Sequence, residues 1–225
     1  MANPSRLLKN CCASLCLLLA ACAPLSPQKL DIQLETLDQL PAEVPHGRAG
    51  AGAAVLLVLS PDAEAPYDTA RMAYVEAPHR FGYFGRHEWA AAPAQMLLPL
   101  LLRTMVQTHA FNAVLAPPSS SAYGYALQVR ILELVQDFRA DPALLRLTLH
   151  VQLHEGASNR VLAAREIALR ETMSDKTPSA GVEAANRATA SALRQIADFA
   201  LREAGPAAGA STRAGCSCAN ARSLH

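Results

Sequence analysis

From Leu145 to His154 the sequence alternates without a break. Leu145, Leu147, Leu149, Val151 and Leu153 are apolar; Arg146, Thr148, His150, Gln152 and His154 between them are polar. Successive strand side chains point to opposite faces, so this period of two predicts a strand with one face covered and one wet. Glu155 to Asn159 (EGASN) reads as a hairpin loop and Val161 to Glu171 as the returning strand. Ahead of them, Tyr123 to Phe138 alternates through Tyr125, Leu127, Val129 and Ile131. The three segments predict a meander whose apolar face needs a second layer above it.

Two helical patterns supply that layer. Gly181 to Ala204 places Val182, Ala185, Thr189, Ala192, Leu193, Ile196, Phe199 and Ala200 on one stripe, with Arg194, Asp198 and Arg202 outward. Gly205-Pro206 stops it. The other helix starts at Pro93, a residue suited to a first turn. Leu97, Leu98, Leu101, Leu102, Met105 and Val106 form its expected buried face, opposite Arg103 and Gln107. Pro99 conflicts with it, because a mid-helix proline costs about 3 kcal/mol. A kink near Gln95 to Leu98, or a regular part that begins there, is expected.

Shorter strands complete the set. Leu30, Ile32 and Leu34 alternate with polar residues as a half-buried strand, and Gln39 to Gly52 is loop. Val55 to Leu59 is a continuous apolar run, as in a strand covered on both faces. Arg71–Val75 and Arg80–Phe84 read as short extended pieces, and Phe111–Leu115 as a short strand. The expected fold is α+β: a two-layer sandwich, mainly antiparallel sheet, with two long helices packed on one face.

The N-terminus reads as a targeting signal. Arg6 and Lys9 precede an apolar run, Cys11 to Leu19, with Ala20-Ala21 before the cleavage point. The run is too short for a spanning helix, which needs about 20 residues. Leu19-Ala20-Ala21-Cys22 resembles a bacterial lipobox, which implies lipidation of Cys22 and cleavage before it. The other option is a plain secretory signal with cysteine after its cleavage site, but LAAC fits all four positions. Ala23, which is not acidic, favours the outer membrane. Cys216 and Cys218 sit in a Gly/Ala/Ser-rich tail, read as disordered instead of as a metal fragment.

Chemistry is sparse. A net charge of +1 without a basic block gives no case for nucleic acid. The glycines of GRAGAG (47–52) precede a strand instead of following one, which excludes a dinucleotide loop. His150 and His154, four residues apart on a strand, stand roughly 13 Å apart. Zn–N bonds are about 2 Å, so the pair cannot share an ion unaided. His79 and His87 read as loop residues. No catalytic residues, metal or cofactor are expected.

Between Tyr67 and Trp89 lie Tyr67, Tyr74, Phe81, Tyr83, Phe84 and Trp89, six of the chain's eleven aromatics. Such crowding marks a core seam, a protein–protein surface or a lipid-contacting lip. Core is the expectation for Tyr74, Phe81 and Trp89 taken singly. The segment nevertheless holds more aromatic area than short strands can bury. Arg80, Phe81, Tyr83, Phe84, Arg86 and Trp89 are therefore the candidate partner-binding residues, since aromatics with arginine make interface anchors.

The lipobox, the strand Val55–Leu59, Arg71-Met-Ala-Tyr74, Tyr83-Phe84, His87-Glu-Trp89 before the Pro93 helix, and Ala185-Asn186-Arg187-Ala188 together resemble the ABC-type transport auxiliary lipoproteins. The resemblance spans about residues 50 to 204. It implies a non-enzymatic outer-membrane lipoprotein on the periplasmic face, which docks the periplasmic component of a mammalian-cell-entry (MCE) lipid transporter. A stand-alone lipid-binding or outer-membrane assembly lipoprotein is the alternative. The expected partners are the membrane, through Cys22, and the MCE-domain component, with homo-oligomerisation left open. The expected organisation is a signal over 1–21, a lipidated terminus with first strand and loop over 22–52, the family domain over 53–204, and a disordered tail over 205–225.

Overall fold

A computed structural model describes residues 31–47, 54–156 and 158–205. The signal segment, Cys22, Gly50, Gly52, and the tail with Cys216 and Cys218 lie outside the described residues. The described strands are β1 (Gln33–Glu35), β2 (Val55–Val58), β3 (Asp62–Ala63), β4 (Arg71–Ala77), β5 (Arg80–Trp89), β6 (Ala113–Leu115), β7 (Tyr125–Asp137), β8 (Leu144–Glu155) and β9 (Val161–Thr172). The helices are α1 (Pro93–Gln107) and α2 (Pro178–Ala204).

The meander is present as read: β7, β8 and β9 run antiparallel. Leu145, Leu147, Leu149, Val151 and Leu153 are all buried, and the residues from Arg146 to Gln152 between them are half-buried. β7 keeps the same phase through Leu127, Val129 and Ile131 until a bulge between Ile131 and Glu133 shifts it. After the bulge Leu134 and Gln136 are the inward residues, opposite Leu147 and Leu145.

The sheet is mixed. The opposite edge of β7 carries three short parallel partners end to end: β2 at Tyr125 to Leu127, β3 at Arg130 and Ile131, and β4 at Gln136 and Asp137. β2, flanked by β6 and β7, has Leu56, Leu57 and Val58 all buried, as expected of a strand covered on both faces. The long ladders are antiparallel and the short ones parallel.

Both helices pack on the apolar side of the sheet and against each other. α2 starts at Pro178, three residues before the expected Gly181, because Thr177 caps it: the Ala180 N–H donates to Thr177 Oγ1 at 3.3 Å. Gly181 is glycine because the sheet lies so close. A Cβ there would fall 2.0 Å from Gln136 Cδ, a side chain already bonded to the Pro178 carbonyl.

Three expectations need correction. In α1 the buried face is Ala94, Leu97, Leu100, Leu101, Thr104 and Met105, while Val106 is 56% exposed and Leu98 and Leu102 are only half-buried. A nearly continuous leucine run does not reveal its own phase, and the sheet beneath selects it. Secondly, the regular part of α1 begins at Pro93 instead of near Gln95 to Leu98, and the helix continues through Pro99, where Pro99 and Gln95 four residues before it are both exposed. Water can satisfy the carbonyl that the proline leaves free.

The third concerns the first strand. Ile32 and Leu34 are 44% and 64% exposed, not inward, because β1 is a three-residue edge strand beside the end of β5. The chain enters the core two residues later, at Leu37. Asn186 of α2 fixes this entry: its Oδ1 accepts from the Asp38 and Gln39 amides, and its Nδ2 donates to the Thr36 carbonyl. Asn186→Ala is expected to cost about 1 kcal/mol, water replacing part of what is lost. Amide hydrogen exchange at Asp38 and Gln39 should quicken while the meander stays protected.

Candidate functional site

β4 and β5 form one continuous hairpin where two short pieces were expected, and His79 sits in its turn with φ of 59°. β5 runs on to Trp89, which places His87 within the strand, not in a loop. His87 Nδ1 lies 3.4 Å from Glu35 Oε1 of β1.

Register assigns the aromatics to faces, because directly paired residues share one. The row Gly82, Tyr74, Gln136, Leu145 lies on the helix side. The next row, Phe81, Val75, Asp137, Leu144, lies on the open side. The aromatic segment therefore divides into two clusters, back to back.

The inner cluster is structural. Tyr74 and Phe84 have ring centroids 4.7 Å apart, and Phe138 lies 6.2 Å from each. Tyr74 closes over Gly82, where a Cβ would meet its ring at 2.7 Å. Trp89, at the end of β5, is only 3% exposed within the core that holds Leu37, Leu97 and Leu101. Trp89 is thus no contact residue: a large apolar side chain placed where β1, β4 and β5 converge is the core's. Phe84 is half-buried in the inner cluster.

In the outer cluster Phe81 is exposed, while Tyr67 and Tyr83 are half-buried. Phe81 is 41% accessible, edge-on to Tyr83 at 5.1 Å and to Tyr67 at 6.1 Å. Tyr83 is held by its hydroxyl, which donates to the Pro66 carbonyl at 3.0 Å, and by Arg71, whose Cζ lies 4.0 Å over the ring. Arg80 extends beside Phe81 from the turn, 3.5 Å from Glu76 and 70% exposed. Arg86 is exposed and makes no ion pair among the described residues. Of the six residues expected to bind a partner, Phe81 and Tyr83 come together here, Arg80 reaches Glu76 beside the turn, Arg86 lies further along β5, and Phe84 and Trp89 point elsewhere. Sequence reading missed Arg71 and Tyr67 as members. The signal was available in the alternation of Phe81 and Tyr83 with Gly82 and Phe84.

A charged network supports this patch. Asp137 is buried and bonds Arg139 through Nη2 at 2.6 Å and Nε at 2.8 Å. Arg146 Nη2 lies 2.9 Å from Glu133, and its Nε 3.4 Å from Asp137. The Arg139 hydrogen bonds hold the Asp137 carboxyl below its ordinary value, against the opposing effect of burial. Burial, then Glu133, raises the Tyr67 phenol. A carboxylate lowered in the folded state stabilises the fold above its unfolded value, roughly 3.9, and that contribution is lost as pH falls through the folded value. Asp137→Asn should therefore be less stable than the wild type near neutrality, and its melting midpoint should fall less on acidification below about pH 4. Parallel midpoint-against-pH curves would contradict this.

Further along the open face, Arg130 binds Asp62 at 2.6 Å and approaches Glu64 at 3.8 Å. With Gln128, His150 and Gln152 it lines a shallow polar groove of about 230 Å3. Two more surface grooves, of about 340 and 520 Å3, flank segment 41–47, at Arg194 and Asp198 and at His46 and His109 respectively.

The described residues thus form an α+β domain with a packed core and an aromatic cluster, Phe81, Tyr83 and Tyr67, on its open sheet face. The chain belongs to the family of ABC-type transport auxiliary lipoprotein components, whose family model matches residues 36–197. It is thus a membrane-anchored lipoprotein accessory to ABC transport, in a family not known for enzymes. Its fold is similar to that of a Xanthomonas campestris protein of the DUF330 family, at 19% identity and a TM-score of 0.64, over 76% of this chain and 95% of that one. A second crystal structure, of an uncharacterized protein, aligns at 15% identity and a TM-score of 0.55, over 77% and 100% of the two chains. No curated protein matches the sequence.

Proposed function

We propose that the chain is a docking subunit, lipid-anchored through Cys22 on the periplasmic face of the outer membrane. It receives the periplasmic MCE-domain component of an ABC lipid transporter. The observation that carries this reading is the outer patch: Phe81 stands exposed between Tyr67 and Tyr83, with Arg71 over the Tyr83 ring, on the open face of a sheet whose other face is filled. Aromatic and arginine residues of this kind anchor interfaces. Phe84 and Trp89 drop out of the contact set and become its support.

Storage of a lipid within the domain would need a roomy, mostly apolar cavity. The grooves at Arg130 and at Arg194 carry polar and charged side chains, walls that suit contact with a protein better than an acyl chain.

Single alanine variants separate the roles. Phe81→Ala is expected to weaken co-purification with the MCE-domain component by at least about 30-fold, the effect of a 2 kcal/mol anchor. It should leave the melting midpoint nearly unchanged. Phe84→Ala should do the reverse, because it opens the inner cluster. Loss of stability in both, with binding lost only in proportion, would move the docking surface elsewhere.

A further inference from the structure

β9 pairs with β8 along one side and, among the described residues, with nothing along the other. Outward N–H and C=O groups along an edge are a template for another strand, and here the Thr172 carbonyl at its end accepts from Arg187 Nη2 at 2.8 Å. Edges that must stay single are usually interrupted by proline, a bulge or a covering segment. β9 contains no proline; a bulge falls at its start, between Val161 and Ala163, and from Ala163 to Thr172 its register against β8 is regular.

The charges on this edge have an internal symmetry. Residues 164–172 read Ala-Arg-Glu-Ile-Ala-Leu-Arg-Glu-Thr. Reversed about Ala168, each charge falls on its opposite: Arg165 meets Glu171, Glu166 meets Arg170, and Ile167 meets Leu169. Antiparallel pairing of two identical strands about a two-fold axis at Ala168 performs this reversal. The faces agree as well. Arg165 and Glu171 lie opposite Val151 and Leu145, on the helix side. Glu166 and Arg170 lie opposite His150 and Arg146, on the open side. Paired residues of the two copies would thus share a face, as cross-strand partners must.

A single copy pairs only one of these four charges: Glu171 lies 3.6 Å from Arg187 Nε. Arg165, Glu166 and Arg170 are exposed and form no ion pair among the described residues. Arg170 stands directly across from Arg146, whose guanidinium Glu133 and Asp137 already hold. Charges also guard edges against association. A guard works by lacking a complement, however, and this edge carries its own.

We infer that β9 is a self-association edge, on which a second copy of this chain adds its own β9 in the register Ala168 to Ala168. The interface is isologous, so each ion pair occurs twice. The sheet continues across the axis, and the outer aromatic patch, four strand spacings or about 19 Å away, stays free on both copies. The inference is independent of the docking proposal, and either can fail alone.

The test uses the full chain in detergent, with Cys216 and Cys218 replaced by serine. Directly opposed residues in an antiparallel pair have Cα atoms about 4.5–5.5 Å apart, within reach of a disulfide. Ala168→Cys should therefore oxidise to a covalent dimer, whereas Ala164→Cys, which faces Thr172 of the other copy, should not. By sedimentation, Glu166→Arg or Arg170→Glu alone should weaken dimerisation about tenfold, and the two together should restore it. A chain that stays monomeric would overturn the inference. So would single reversals without effect, or equal cross-linking at 164 and 168. A strand donated by a different protein would leave the Ala168→Cys thiols unlinked, and overturns it too.

Discussion

Trp89→Ala is expected to cost about 3–5 kcal/mol of folding stability, the usual effect of emptying a large aromatic from a core. The side chain is 3% exposed and lies in the cluster with Leu37, Leu97 and Leu101. Its backbone is committed as well: the Trp89 N–H donates to the Ala70 carbonyl at 2.7 Å, and Glu35 of β1 pairs beside it. No neighbouring element can collapse into the space without breaking one of these ladders. For a chain of this size the melting midpoint should fall on the order of 10 °C. Thermal unfolding followed by circular dichroism checks this, and a fall of only a degree or two would take Trp89 out of the core.

Cys22→Ser should have the second large effect, on location instead of stability. Two or more acyl chains hold a protein at a membrane stably where one does so only marginally. Removing the thiol removes the first attachment, and with it the processing that exposes the amino group. The variant should leave the membrane fraction almost entirely, or remain as an unprocessed precursor, while its folded domain melts like the wild type. Unchanged partition into the detergent phase would contradict lipidation at Cys22.

The strongest local patterns survive in the structure because one physical cause dictates them. β8 alternates since one face is helix-covered and the other wet, and nothing distant can alter that. α2 shows its stripe for the same reason. What the chain hides depends on register between remote segments. Leu98 and Val106 look as buriable as Leu97 and Leu100, and only the sheet beneath α1 decides among them. Ile32 and Leu34 alternate properly, yet they fall on an edge strand.

The end-to-end parallel pairing of β2, β3 and β4 along β7 has no local signature at all. The candidate site was legible as a segment but not as a surface. Phe81, Tyr83, Phe84 and Trp89 are equally aromatic in the sequence, and the pairing of β5 with β4 sends them to different sides. The count of aromatics exceeded what one face could hold, and the chain resolves this by using both.

The outer cluster, and not the inner one, is the proposed meeting point with the transporter's periplasmic component. Site-specific photo-cross-linking in cells tests it most directly, with a photoreactive amino acid placed in turn at Phe81 and at Phe84. A cross-link from position 81 to an MCE-domain protein is expected, with little or none from position 84. A cross-link from 84 alone, or none from 81 in cells that express the transporter, would contradict it.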